Sequence, residues 1–153
     1  MVSKSTIGED VYKAFYVLLR DNLADRQSPA RSASQWIFSA FPDVNSITRD
    51  DFPIVVIDKP EFSTENLTLK KNNVPISVTI HVFEAGDYAA KYCDEMADKV
   101  VNLINTNKYS SLRNTHRLYN TEIASIDSNV LMHDGLKVHV KSITINTVFR
   151  FGD

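Results

Sequence analysis

Little in this sequence is of the kind that builds a reaction centre. Cys93 is the only cysteine in 153 residues, so no intrachain disulfide can form, and a reducing place of synthesis is expected. Four glycines leave no phosphate-cradling loop and no Gly-x-Ser-x-Gly elbow. The four histidines, His81, His116, His133 and His139, include no i, i+4 pair and no zinc spacing with Cys93. No window approaches the roughly 20 apolar residues that cross a bilayer, and the first residues lack a signal peptide's apolar core. Neither sign of charge prevails. Seventeen Lys+Arg against nineteen Asp+Glu gives a net charge of -2, and the densest basic spot is the pair Lys70-Lys71, far short of a nucleic-acid binder's stripe. The expectation is a soluble chain made in a cytoplasm, with no membrane partner, no cofactor, no metal and no enzymatic activity.

The remaining chemical candidates have plain readings. Cys93 falls on the apolar half of a helix, where a small core residue is expected and a nucleophile would need a base and an exposed, electropositive setting. Asp43, Asp50, Asp51, Asp58 and Glu61 bracket an apolar run as turn formers do, and nothing in their spacing fixes a catalytic dyad or a magnesium site. His81 and His139 fall on strands and could be neighbours across a sheet; solvated positions are the ordinary reading.

What the chain does have is apolar material with clear periodicity, 43% of it hydrophobic and 10% aromatic. Residues 9 to 24 carry Val11, Ala14, Phe15, Leu18 and Leu19 at helical spacing. A polar loop from Arg26 to Ala33 precedes a short helix or aromatic turn over Ser34 to Phe41. Trp36, Phe38 and Phe41 there read as a cover for the sheet's open end or as an exposed anchor for a partner. The β-branched run Phe52-Pro53-Ile54-Val55-Val56-Ile57 suits a strand buried on both faces. Ile76, Val78, Ile80 and Val82 alternate with other residues as a strand does. The helix over 87 to 106 follows, with Tyr92, Met96, Val100, Leu103 and Ile104 on one face. Two strands close the chain, about 117 to 126 and 136 to 151, with a turn signal at Asp134-Gly135 between them.

The last strand has two unusual properties. Val138 and Val140 occupy even positions, whereas Ile143, Ile145, Phe149 and Phe151 occupy odd ones. A phase slip near Lys141-Ser142 means a β-bulge or a crossing between two environments. At about 3.3 Å per residue the strand spans roughly 50 Å, against a diameter of about 40 Å for a compact chain of this size. It is expected to curl or to project toward another chain. The fold class expected is α+β: a mainly antiparallel sheet of four to five strands, packed by one long amphipathic helix, with N-terminal helices. One domain over 1–153 is expected, with residues 1–8 flexible.

This order of elements resembles a known family. An N-terminal helix and an aromatic turn precede the acid-aromatic-proline lead Asp51-Phe52-Pro53 into a buried strand. Then come the alternating strand Pro75 to Phe83, the helix Ala89 to Ile104, and closing strands that end Val148-Phe149-Arg150-Phe151. It is similar to the tail terminator and tail-completion proteins of long-tailed bacteriophages and related archaeal viruses, over roughly residues 9 to 151. The resemblance implies a structural virion protein at the tail or neck. Its subunits close into a homo-oligomeric ring, typically a hexamer, that caps the tail tube and docks on head connector or neck proteins, and DNA passes through without sequence-specific binding. It carries over no active site. A ring needs a heterologous interface, and the overlong last strand or a projecting 59-to-74 segment would supply it. The interface candidates are therefore Lys59, Glu61, Phe62, Leu67, Lys70, Lys71, Trp36, Phe149 and Phe151. Another neck or head-completion protein, or a small enzyme on a ferredoxin-like sheet, is the alternative.

Overall fold

A computed structural model of the chain describes residues 6–62 and 73–151. Helix α1 spans Ile7–Asn22 and buries Ile7, Val11, Ala14, Phe15, Leu18 and Leu19, the stripe its spacing dictates. Glu9 and Asp10 in its first turn and Arg20 in its last complement the helix dipole. The second N-terminal helix shrinks to a 3-10 turn, Ala33–Gln35. Beyond it the chain extends into β1, Ile37–Phe38, which pairs in parallel with β2, Ile54–Ile57. All four residues of β2 are buried, so the apolar run is a strand covered on both faces.

Strand β3, Asn73–Ala85, leads through Gly86 into helix α2, Ala89–Asn107. The hairpin β4, Leu118–His133, and β5, Leu136–Arg150, completes an α+β fold. The sheet has five strands in the order β1-β2-β3-β5-β4, antiparallel except at β1. Asp134 and Gly135 both take positive φ, 48° and 77°, as a two-residue hairpin turn of matching twist requires.

The phase slip of β5 is a crossing between two environments. Strand β5 pairs with β3 without interruption from Val138 to Arg150, so its side chains alternate faces throughout. Ile143, Ile145 and Phe149 enter the main core beneath α1 and α2, together with Val74 to Val82 of β3. Val138 and Val140 enter a smaller cluster on the other face, where Phe52, Ile54 and Val56 meet Phe38, Phe41 and Ile47. The loop between β1 and β2 covers that face only at one end of the sheet. The bulges lie in β4 instead, between Tyr119 and Glu122 and between Ile123 and Ser125. At the first, Thr121 and Thr147 share a buried hydroxyl hydrogen bond of 2.8 Å, and the Thr147 hydroxyl donates to the Tyr119 carbonyl at 3.1 Å. Among the described residues no helix is long and apolar enough to cross a membrane.

Candidate functional site: an uncovered edge strand

Among the described residues strand β4 is an open edge of the sheet, and it runs past the elements that cover its neighbours. Helix α2 packs over β3 and β5. Beyond the bulges every residue from Ala124 to Met132 is exposed. Ile126 and Val130 are 46% exposed, Leu131 45% and Met132 68%, large apolar side chains that a solitary domain gains nothing by showing to water. Ile126, Val130 and Met132 share the helix-side face, opposite Ile143, His139 and Lys137, and Leu131 looks to the other face beside Val138. A cleft of about 540 Å³ separates this stretch from α2, lined by Ala90, Cys93, Asp94, Ser128, Val130 and Lys141 among others. Lys141 crosses it to reach Asp94 at 3.2 Å.

The other end of β4 is chemically different. The ring of Tyr119 and two guanidinium groups meet there: that of Arg113 lies 5.5 Å and that of Arg150 5.1 Å from the Tyr119 centroid. Arg117 is adjacent, held at φ 59°, and its carbonyl accepts the Arg150 N–H at 3.0 Å. All three arginines are exposed, and among the described residues none has a carboxylate within salt-bridge distance.

The predicted interface residues divide. Trp36 and Phe149, both candidates for an interface, are each 2% exposed and belong to the main core, so within the subunit their side chains pack inward. Trp36 is drawn in because its carbonyl accepts the Val55 N–H, and Phe149 because β5 places it on the helix-side face. Phe62 and Phe151 are half-buried against the same core. Lys59 and Glu61 are exposed, but this part of the segment does not project. The Asp58 N–H donates to Thr79, and Glu61 exchanges two backbone hydrogen bonds with Ser77, which holds it along β3. Leu67, Lys70 and Lys71 lie outside the described residues.

The titratable groups do not converge. Asp43 and Asp51 accept backbone N–H groups in their own turns, and among the described residues no three His, Cys, Asp or Glu side chains could share a metal ion. His81 and His139 are on opposite faces, paired with Ser142 and Glu84 respectively, so they are not a ligand pair. One hydrogen-bonded chain does form on the open face. His81 Nε2 donates to Asp58 Oδ2 at 2.6 Å, and its Nδ1 is 2.7 Å from the Ser142 hydroxyl. Ser142 is a mid-strand residue paired on both sides, so its own backbone N–H is committed to the ladder and does not serve as an oxyanion donor. Cys93 is 1% exposed, with its thiol donating to the carbonyls of Val82 and His139. Burial first, then the charges of Glu84 and Asp94, push that thiol up to about 12.

No known family's sequence profile matches the chain, and no curated protein is similar to it at a significant level.

Proposed function

We propose that this chain is a structural assembly subunit that closes into a homo-oligomeric ring, and that the ring is a phage-type tail terminator capping the tail tube and joining it to the head. The observation that carries the assembly reading is the uncovered stretch Ala124 to Met132 of β4. A long edge strand offers unpaired backbone groups along its whole length, and natural monomers blunt such edges with charge, proline or a covering element. Here Asp127 is the one acidic or basic residue among nine that also include Ile126, Val130, Leu131 and Met132. Pairing of this edge, or burial of its apolar side chains by another subunit, removes the liability. The tail-terminator assignment rests on the resemblance in element order from α1 to β5. A virion setting, tail tube protein and neck proteins as partners follow from it.

Negative-stain microscopy and light scattering on the purified chain test the reading. A closed ring with a central hole, and binding of that ring to the end of purified tail tubes, is the expected result. A monomer at high concentration that also leaves tail tubes uncapped would overturn it.

The Asp58–His81–Ser142 chain favours one second reading, acyl transfer with Ser142 as nucleophile. The commitment of the Ser142 N–H to the sheet ladder weighs against it. Labelling of Ser142 by a fluorophosphonate, lost in His81→Ala, is the result that would favour it.

A further inference from the structure

The distal half of β4 turns a regular set of backbone groups away from the sheet. The Arg150 N–H donates to the Arg117 carbonyl, so the even residues of β5 direct their backbone groups toward β4. With no bulge in β5, its odd residues direct theirs toward β3. Ile126, Ser128, Val130 and Met132 lie opposite the odd residues Ile143, Lys141, His139 and Lys137. Their N–H and C=O groups therefore face outward. The Val130 N–H is taken by its own neighbour, the Asn129 side-chain oxygen, at 2.8 Å. The exposed apolar side chains are gathered on the same edge. Among the described residues, Ile126, Val130, Leu131 and Met132 adjoin one another, whereas Val44, Tyr88 and Tyr109 stand on three separate turns. The opposite edge of the sheet, β1, is two residues long.

We infer that two copies of the chain pair antiparallel through this edge, about a two-fold axis at Asn129, and join their sheets into one. The occupant is a second copy because the edge is its own complement. The outward residues run from Ile126 to Met132, and Asn129 is their midpoint. That axis sets Ile126 opposite the partner's Met132 and Ser128 opposite the partner's Val130. All four outward residues then exchange backbone hydrogen bonds, with apolar side chains meeting on the helix-side face. Other axes do worse. At Ser128 the axis brings Met132 against the partner's Ala124, a bulge residue, and at Val130 it brings Ile126 against the turn residue Asp134. An axis between two residues sets outward groups against inward ones. Charge does not oppose the chosen register. Each Asp127 faces the partner's Leu131, and the two Asp127 residues stand four steps apart, about 13 Å at 3.3 Å per residue, beyond the Debye length of about 10 Å at 0.1 M salt.

The pair shares its edge with the ring reading but not its symmetry. Ring contacts are heterologous, whereas a two-fold contact is isologous and complete at two copies. Pair and ring therefore compete for β4, and the pair is the species to which a diluted ring dissociates. Asn129→Cys tests the register in the full chain, whose native Cys93 is buried. Residues facing each other in a non-hydrogen-bonded pair have Cα atoms about 4.5 Å apart, inside the roughly 4.4–6.8 Å that a disulfide spans. On mild oxidation Asn129→Cys should give a disulfide-linked dimer on a non-reducing gel. Asp127→Cys, on the same strand and face but far from its symmetry mate, should not. Adding Ser128→Pro to Asn129→Cys removes an outward N–H that the intrachain ladder does not use. The fold should persist by circular dichroism and the cross-link should be lost. No link at residue 129, equal linking at 127 and 129, or a link that survives the proline overturns the pairing. Rings that dissociate straight to monomers in sedimentation velocity overturn it too, and leave the ring reading standing. A specific cross-link with no ring, alone or on tail tubes, supports the pair and removes the ring reading.

Discussion

Arg26 grips Glu84 through two parallel hydrogen bonds of 2.9 and 2.8 Å, although the two are 58 residues apart in the chain. Glu84 is fully buried at the end of β3, and Arg26 also stacks on Tyr92 at 4.3 Å. The loop after α1 is thereby fastened to the point where β3 enters α2. A carboxylate in that position is tolerable only with its partner in place. Arg26→Ala is expected to destabilise the fold by about 3 kcal/mol, the usual scale for stranding one member of a buried pair. Replacing both, as Arg26→Met with Glu84→Leu, should recover most of that loss in urea unfolding. A single variant no worse than the double would show that the pair is idle.

The second clasp of the same loop makes stability depend on acid. The side chain of Asp25 is 1% exposed and accepts hydrogen bonds from the Arg31 side chain and the backbone N–H groups of Gln27 and Arg31. Burial alone would raise its carboxyl, but these donors outweigh burial and hold it below the usual range. A group with a depressed folded pKa stabilises fully above its ordinary value, near 4, and the contribution disappears as pH falls through that value toward the folded one. Asp25→Asn should therefore be less stable than wild type at neutral pH, with the gap narrowing below about pH 4. Equilibrium unfolding at a series of pH values measures it; a constant gap would assign the loss to shape alone.

Cys93 gives a readout of the core. With its thiol near 12 and its sulfur under α2, little thiolate exists at pH 8 and no reagent reaches it. Labelling by a disulfide reagent should be slow in the native protein and should accelerate in step with global unfolding as urea is added. Rapid stoichiometric labelling without denaturant would mean that the cleft between α2 and β4 opens.

The backbone of this fold is written in local patterns. The helical stripe of α1, the apolar run of β2 and the alternation of β3 each identify their element, because burial on one or two faces leaves that signature. The slip between Val140 and Ile143 was also legible, and one of its two meanings holds: two cores on opposite faces, with no bulge in β5. The bulges of β4 left no such trace, because Thr121 packs its hydroxyl against Thr147 and its sequence neighbours are polar. Residues 127 to 133 were missed as strand for a related reason: a strand exposed on both faces has no alternation to read. The tight Asp134-Gly135 turn was the available signal, since a two-residue hairpin with β5 starting at Leu136 obliges β4 to continue to His133. The Tyr119 cluster was illegible in principle. It joins arginines 37 residues apart in sequence, Arg113 and Arg150, across a hairpin, and composition reports only their sum.

The exposed apolar side chains of β4 separate folding from assembly. Val130 and Met132 lie beyond the bulges, on the part of β4 that none of the described residues covers. Exposed positions away from the core tolerate substitution within about 0.5 kcal/mol, so Val130→Lys with Met132→Lys should leave the unfolding midpoint almost unchanged. The same change should abolish or greatly weaken self-association, since each lysine must be desolvated when the edge is buried. Leu118→Lys is the contrasting variant: the residue is fully buried on the same strand, and its loss should unfold the chain before assembly is reached. Sedimentation velocity beside thermal denaturation distinguishes the two effects. If the double lysine variant keeps the wild-type sedimentation coefficient at every concentration, the distal edge of β4 is solvent-facing in the assembled state and the contact must be sought elsewhere on the molecule.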